Sequence, residues 1–154
     1  MTNLDNTDIK LLELLQKNSK FTTKELASKV NLSATPVFER IKRLEENGYI
    51  RKYTAILNPE KINNGFSVYC NIRLKKHSQE YILNFTAAIE EIKEITECYN
   101  VSGDYDFMLK IYVQNMQHYQ LFVQEKLGVI ESIGSLHSIF VMKEVKHTFS
   151  LPIY

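Results

Sequence analysis

The residues of this chain best equipped for chemistry are hydrogen-bonding and cationic groups gathered in one short stretch. Between Ser33 and Gly48 the chain reads Ser-Ala-Thr-Pro-Val-Phe-Glu-Arg-Ile-Lys-Arg-Leu-Glu-Glu-Asn-Gly. Placed at 100° steps, Val37, Ile41 and Leu44 form one stripe, with Thr35, Glu39, Lys42 and Glu46 opposite and Phe38 and Arg43 on the flanks. The outer face offers a hydroxyl from Thr35, an apolar ring from Phe38, an acceptor from Glu39 and donors from Lys42 and Arg43. That is the set of groups that can meet base edges and phosphates in a major groove. Arg40 falls between the faces, where it can serve a phosphate or hold an acidic partner. A polar helix face is more often only solvated, so the neighbouring residues have to decide.

The ends of this helix are written in the sequence. Ser33 is placed to accept a backbone N–H as N-cap, Pro36 is tolerated in the first turn, and Gly48 supplies a left-handed residue just past the end. Before it, Thr22 and Glu25 have capping-box spacing, and Leu26 and Val30 repeat at helical spacing. Only Asn31 and Leu32 separate that short helix from Ser33, a turn tight enough to impose the steep crossing of a helix-turn-helix. The second helix of such a pair is the one that enters a major groove. Lys20 and Thr22, at the start of the first, can meet phosphates or simply face solvent. An earlier helix from about Asp5 to Lys17, with Asp5 as N-cap and an apolar face of Ile9, Leu11, Leu12 and Leu15, is the expected scaffold. After Gly48, Tyr49 to Leu57 is rich in β-formers and carries Arg51 and Lys52, which predicts a wing touching phosphate.

Asn58 to Gly65 turns polar and turn-forming and marks a linker. Beyond it, Val68, Cys70, Ile72 and Leu74 alternate with Tyr69, Asn71 and Arg73 as a half-buried strand. A helix over Gln79 to Glu91 carries Ile82, Phe85 and Ile89 on its stripe. Two strands, Ile95 to Val101 and Phe107 to Val113, are joined by a glycine-bearing turn. A helix over Met116 to Leu127 and a last strand over Leu136 to Lys146, with Ile139, Val141 and Val145 on one face, complete the order βαββαβ. The expected fold class is therefore α+β, an amino-terminal winged helix-turn-helix (residues 1–57), a linker (58–65) and a ferredoxin-like βαββαβ domain (66–154). Helices cover only one face of such a sheet, so the other face needs a second subunit.

Composition narrows the function classes. The 154 residues are 44% hydrophobic, ordinary for a globular protein. Net charge is only +1, but residues 1–64 hold 11 Lys+Arg against 8 Asp+Glu and the remainder 8 against 10. A basic first half and an acidic second half fit a nucleic-acid-binding domain joined to one with another task. No apolar run approaches a membrane span and no signal-peptide pattern opens the chain, so a cytoplasmic protein is expected. Cys70 and Cys98 sit in expected strands without metal or redox spacing and read as buried thiols. The four histidines, His77, His118, His137 and His147, show no ligand spacing. Neither a metal nor another cofactor is expected. A phosphate loop, a dinucleotide fingerprint and a nucleophile elbow are all missing, which argues against an enzyme.

Leu4-Asp5 ahead of an amphipathic helix, Glu25-Leu26-Ala27, Leu32-Ser33, Thr35-Pro36, Arg40, Leu44-Glu45 and Gly48-Tyr49-Ile50 together resemble the amino-terminal domain of the Lrp/AsnC (feast/famine) transcriptional regulators. The family's Gly-x-Tyr-Asp turn is matched by Gly103-Asp104-Tyr105-Asp106, so the likeness spans nearly the whole chain. The resemblance implies a sequence-specific binder of double-stranded DNA whose dimers assemble further, commonly to octamers. It implies that Gly103, Asp104, Tyr105 and Asp106 lie at a contact between dimers and help form a pocket for an amino acid or related effector. A glycine turn can expose N–H donors to a carboxylate, and Asp104 or Asp106 can accept from an ammonium. From residue types alone the same turn is an ordinary hairpin corner. Leu136-His137-Ser138 stands where the family often supplies hydroxyls to the pocket; Ser138 keeps one and Leu136 does not. The alternative is an architectural protein that organises DNA as a multimer without any effector. Together the expected DNA-facing residues are Thr22, Ser33, Thr35, Phe38, Glu39, Arg40, Lys42, Arg43, Arg51 and Lys52.

Overall fold

A computed structural model describes residues 4–153, and these divide into two compact units, one running to Ile56 and resuming at Lys146, the other spanning Leu57–Val145. The terminal segment from Lys146 thus belongs with the first unit, a difference from the simple division at the linker.

In the first unit three helices are each started by local sequence. Helix α1 (Asn6–Lys17) is capped by Asp5, whose carboxylate accepts from the Thr7 and Asp8 N–H groups at 2.9 and 2.8 Å. Helix α2 (Thr23–Val30) opens on a reciprocal capping box. Thr22 accepts the Glu25 N–H, and the Glu25 carboxylate accepts the Thr22 N–H at 2.7 Å. Asn31, in the left-handed region at φ 55°, ends α2 and turns the chain into α3 (Ala34–Glu46). Gly48 at φ +74° stops α3, its N–H bonding the Glu45 carbonyl. Leu11, Leu26, Ala27 and Val37 form the buried centre where the three helices meet.

Two expectations fail here. Ser33 holds the N-cap position of α3, yet its hydroxyl makes no capping bond. The third helical residue, the usual donor to an N-cap side chain, is Pro36, which has no N–H to give. Residues 49–57, expected as a wing strand, are irregular. Their β-forming composition lacks a pairing partner among the described residues, and the Tyr53 hydroxyl, which donates to Glu45 at 2.8 Å, ties the segment back to α3 instead.

The second unit is a four-stranded antiparallel sheet with two helical segments. Strands β1 (Phe66–Leu74), β2 (Ile95–Asn100), β3 (Phe107–Val113) and β4 (Ile133–Phe140) stand in the order β2-β3-β1-β4, with α4 (Gln79–Glu90) and α5 (Met116–Phe122) as the crossovers. This is the ferredoxin-like arrangement. A π-helical turn over Val123–Leu127 continues α5, and Gly128 closes it. One sheet face packs against the helices through Val68, Cys70, Ile72, Leu109 and Ile111, all fully buried, with Phe85 and Phe122. On α4, Phe85 and Ile89 are buried but Ile82, expected on the same stripe, is exposed.

The last strand begins and ends earlier than its pattern suggests, at Ile133 and Phe140 rather than Leu136 and Lys146. Val145, expected within that strand on one face with Ile139 and Val141, lies beyond it and is almost fully exposed. Strand β4 pairs with β1 up to Val68↔Phe140, near the start of β1, the Val141 N–H still bonds the Ser67 carbonyl at 3.2 Å, and later residues find no ladder among the described residues. Cys70 is buried as expected, whereas Cys98 on edge strand β2 is exposed.

Candidate nucleic-acid interface and effector turn

Helix α3 buries Val37 and Leu44 and turns Thr35, Phe38, Glu39, Lys42, Arg43 and Glu46 outward. Phe38 is 54% exposed, which for a phenylalanine on a packed helix is an unsatisfied apolar surface. Thr35 and Glu39 have no hydrogen-bond or ionic partner among the described residues, and Lys42 meets Glu46 only at 3.8 Å. The Ser33 hydroxyl, freed by Pro36, stands at the amino-terminal end of the same helix. Arg51 and Lys52 follow on the irregular segment, exposed and unpaired among the described residues. Thr22 is occupied by its capping box, with its hydroxyl also donating to Glu25 at 2.9 Å.

The arginines are arranged differently. Asp8 of α1 is 1% exposed, and its two carboxylate oxygens accept from Arg40 at 2.8 Å and Arg43 at 2.7 Å. Arg40 also bonds Asp5 at 2.6 Å. Arg40 thus has an acidic partner, one of the two roles its position between the faces allows. These hydrogen bonds raise the Arg40 pKa, while the Asp8 N–H and Arg40 together hold the Asp5 carboxyl below its usual range. Arg43 keeps about half of its side chain exposed, so one edge of its guanidinium is tied and the other is open. The clamp orients α3 against α1, a role that no helical projection of α3 alone could reveal.

In the second unit the loop from Val101 to Asp106 closes a hairpin, with the Val101 N–H bonding the Asp106 carbonyl at 3.0 Å and Gly103 at φ +110°. Most of the side chains expected to bind an effector are used by the fold. Asp106 accepts the Leu74 N–H at 2.7 Å and lies 3.1 Å from His77 Nδ1. Tyr105 stacks on His137, with the Arg73 guanidinium 5.7 Å from its ring, and Arg73 donates to the Asp104 carbonyl. Ser138 points to the helix-covered side, 2.6 Å from the Tyr119 hydroxyl, and Leu136 packs against the core. Burial pushes the Tyr119 hydroxyl and the adjacent Cys70 thiol up. Asp104 alone among these six has a side-chain group that is exposed and without a partner among the described residues. The open face of the sheet carries Tyr69, Tyr112 and a half-hidden ion pair, Lys110 with Glu97 at 3.2 Å. Strand alternation signalled that face, but not the ion pair between β2 and β3.

Two family profiles match this chain in the order of its units: winged helix-turn-helix DNA-binding over residues 4–51 and Lrp/AsnC ligand binding domain over residues 67–151. The chain belongs to the Lrp/AsnC family of transcriptional regulators. The leucine-responsive regulatory protein of Haemophilus influenzae is 41% identical over 145 residues, covering 94% of this chain and 87% of the relative. The DNA-binding transcriptional activator DecR of Escherichia coli is 35% identical over 150 residues, 97% of this chain and 99% of its own. Among solved structures, a transcriptional regulator of Neisseria meningitidis in complex with L-Met is 35% identical with a TM-score of 0.94, covering 97% of both chains. An AsnC family regulator from Agrobacterium tumefaciens is 37% identical with a TM-score of 0.92, again covering 97% of both. This Lrp/AsnC protein is therefore a DNA-binding regulator with a carboxy-terminal ligand-binding domain. No helix among its described residues is long and apolar enough to cross a membrane.

Proposed function

We propose that this regulator reads double-stranded DNA through the outward face of α3, self-associates through the open face of its sheet, and responds to an amino acid at the Gly103–Asp106 turn. The observation that carries the proposal is a set of exposed groups at the start and on the outer face of α3 with no partner among the described residues: Ser33, Thr35, Phe38 and Glu39 stand ready on a helix whose opposite side is locked into a core. Phosphate contacts then fall to Lys42, the open edge of Arg43, Arg51 and Lys52, with Arg40 holding the scaffold. One such unit reads only a few base pairs, so a dimer on a pseudopalindrome gains affinity by acting at two half-sites. The apolar and aromatic side of the sheet supports that self-association, and the family resemblance extends it to assemblies of dimers such as octamers.

The effector reading draws on the relatives, one named for leucine and one solved with L-Met. In this chain Asp104 is the acceptor best placed for an ammonium, and the turn's N–H groups suit a carboxylate. An effector that prefers one assembly shifts operator affinity by that preference, without catalysis and in the cytoplasm where DNA is met. A thermal-shift panel against the twenty amino acids, with light scattering on each hit, tests this. A selective shift with a change in assembly supports it; no shift from any amino acid removes the effector.

A second reading keeps a specific observation in its favour. Asp106, Leu136 and Ser138 are engaged by the fold, which suits an architectural protein that multimerises on DNA without a ligand.

A further inference from the structure

The outward face of α3 contains an anomaly for a surface that docks on a polyanion. Glu39 lies at its centre, exposed, with Thr35 one turn before and Lys42 nearly one turn after, and no described residue neutralises it. The arginines nearest it, Arg40 and Arg43, are bonded to Asp8 and not to Glu39. A carboxylate brought into a major groove is repelled by phosphates and by the O6 and N7 of guanine and the O4 of thymine. Only an exocyclic amino group offers it a donor. Adenine N6 has the acceptor N7 beside it, whereas the cytosine edge presents N4–H donors with no acceptor alongside. Phe38, the preceding residue, carries an apolar ring on the flank of the same face, and the apolar feature of a groove edge is the thymine methyl.

We infer that Glu39 is a specificity-determining residue that selects a cytosine in each operator half-site, with Phe38 packing on a neighbouring thymine methyl. The inference rests on α3 being the reading helix. Its position in the first half of that helix is where recognition helices meet base edges. The carboxylate adds little affinity and supplies discrimination by penalising every base that lacks an unopposed donor.

The test is selection from a random double-stranded DNA library by the full-length protein, wild type alongside Glu39→Gln and Glu39→Ala. Both substitutions lie on an exposed side chain, and unchanged thermal unfolding verifies that the variants fold. Wild type is expected to enrich sites with a fixed cytosine in each half. Glu39→Gln should switch that one position toward adenine, since an amide can donate to N7 while accepting from N6. Glu39→Ala should flatten the preference there by roughly tenfold while other positions persist, and should bind unselected DNA more tightly because an anion has left the interface. Phe38→Ala should weaken selection for thymine at the adjacent step. The same base preference in all three Glu39 forms overturns the assignment while leaving α3 as the reading helix. Failure of wild type to enrich any motif overturns both.

Discussion

The outward face of α3 and the Gly103–Asp106 turn are both matched by family motifs, but the fold uses their side chains in opposite ways. On α3 the groups that could meet a ligand are left over once the helix has packed and its arginines have been tied to Asp8. At the turn, Asp106 caps a backbone N–H of β1, Tyr105 lies on His137, and Ser138 and Leu136 face the core; Asp104 remains. The difference teaches that a motif residue can be retained for architecture. Free hydrogen-bonding capacity on a rigid support separates a binding group from a structural one.

The largest effect expected from breaking this contrast is at Asp8. Replacing it by alanine removes the buried anchor of Arg40 and Arg43 and one half of the α1 capping box, at a cost of about 3 kcal/mol to the first unit. Chemical denaturation measures it, and the loss should be accompanied by weaker DNA binding as α3 loosens. Next comes Asp106→Ala, which leaves the Leu74 N–H without its acceptor and should cost about 2 kcal/mol by the same measurement. Asp104→Ala sharpens the comparison, for it should change stability by less than about 0.5 kcal/mol yet abolish any amino-acid-induced thermal shift. If it still responds normally, the acid is only a turn residue.

The smallest effect is a pH dependence from Asp5. Its folded pKa is depressed, so its contribution is fully present above the ordinary carboxylate value and is lost as pH falls through the folded value. Melting temperatures recorded from pH 5 downward should decline below about pH 4. The Asp5→Asn variant should show less of that decline.

Much of this was legible in the chain. The capping signals at Asp5, Thr22 and Gly48 and the alternation of β1 and β3 are local codes, and local codes fix element ends and faces. The misses have long-range causes. The Asp8 clamp joins residues 32 and 35 positions apart, and nothing within α3 reveals that Arg40 and Arg43 share a buried carboxylate. The wing over 49–57 and the tail of the last strand had strand-like composition, but a strand also needs an adjacent partner, which pattern cannot supply. Ser138 has the hydroxyl expected of a pocket residue. Register with Cys70 turns it toward Tyr119, and a single residue of slip would have turned it the other way.

The most direct test of α3 as the reading helix is an anisotropy titration of a selected operator with wild type and the Lys42→Ala, Arg43→Ala double variant, with light scattering on both. The expected result is an affinity lower by roughly tenfold, a shallower salt dependence, and an unchanged assembly. Equal affinity and equal salt dependence would contradict it and remove Lys42 and Arg43 from the DNA interface.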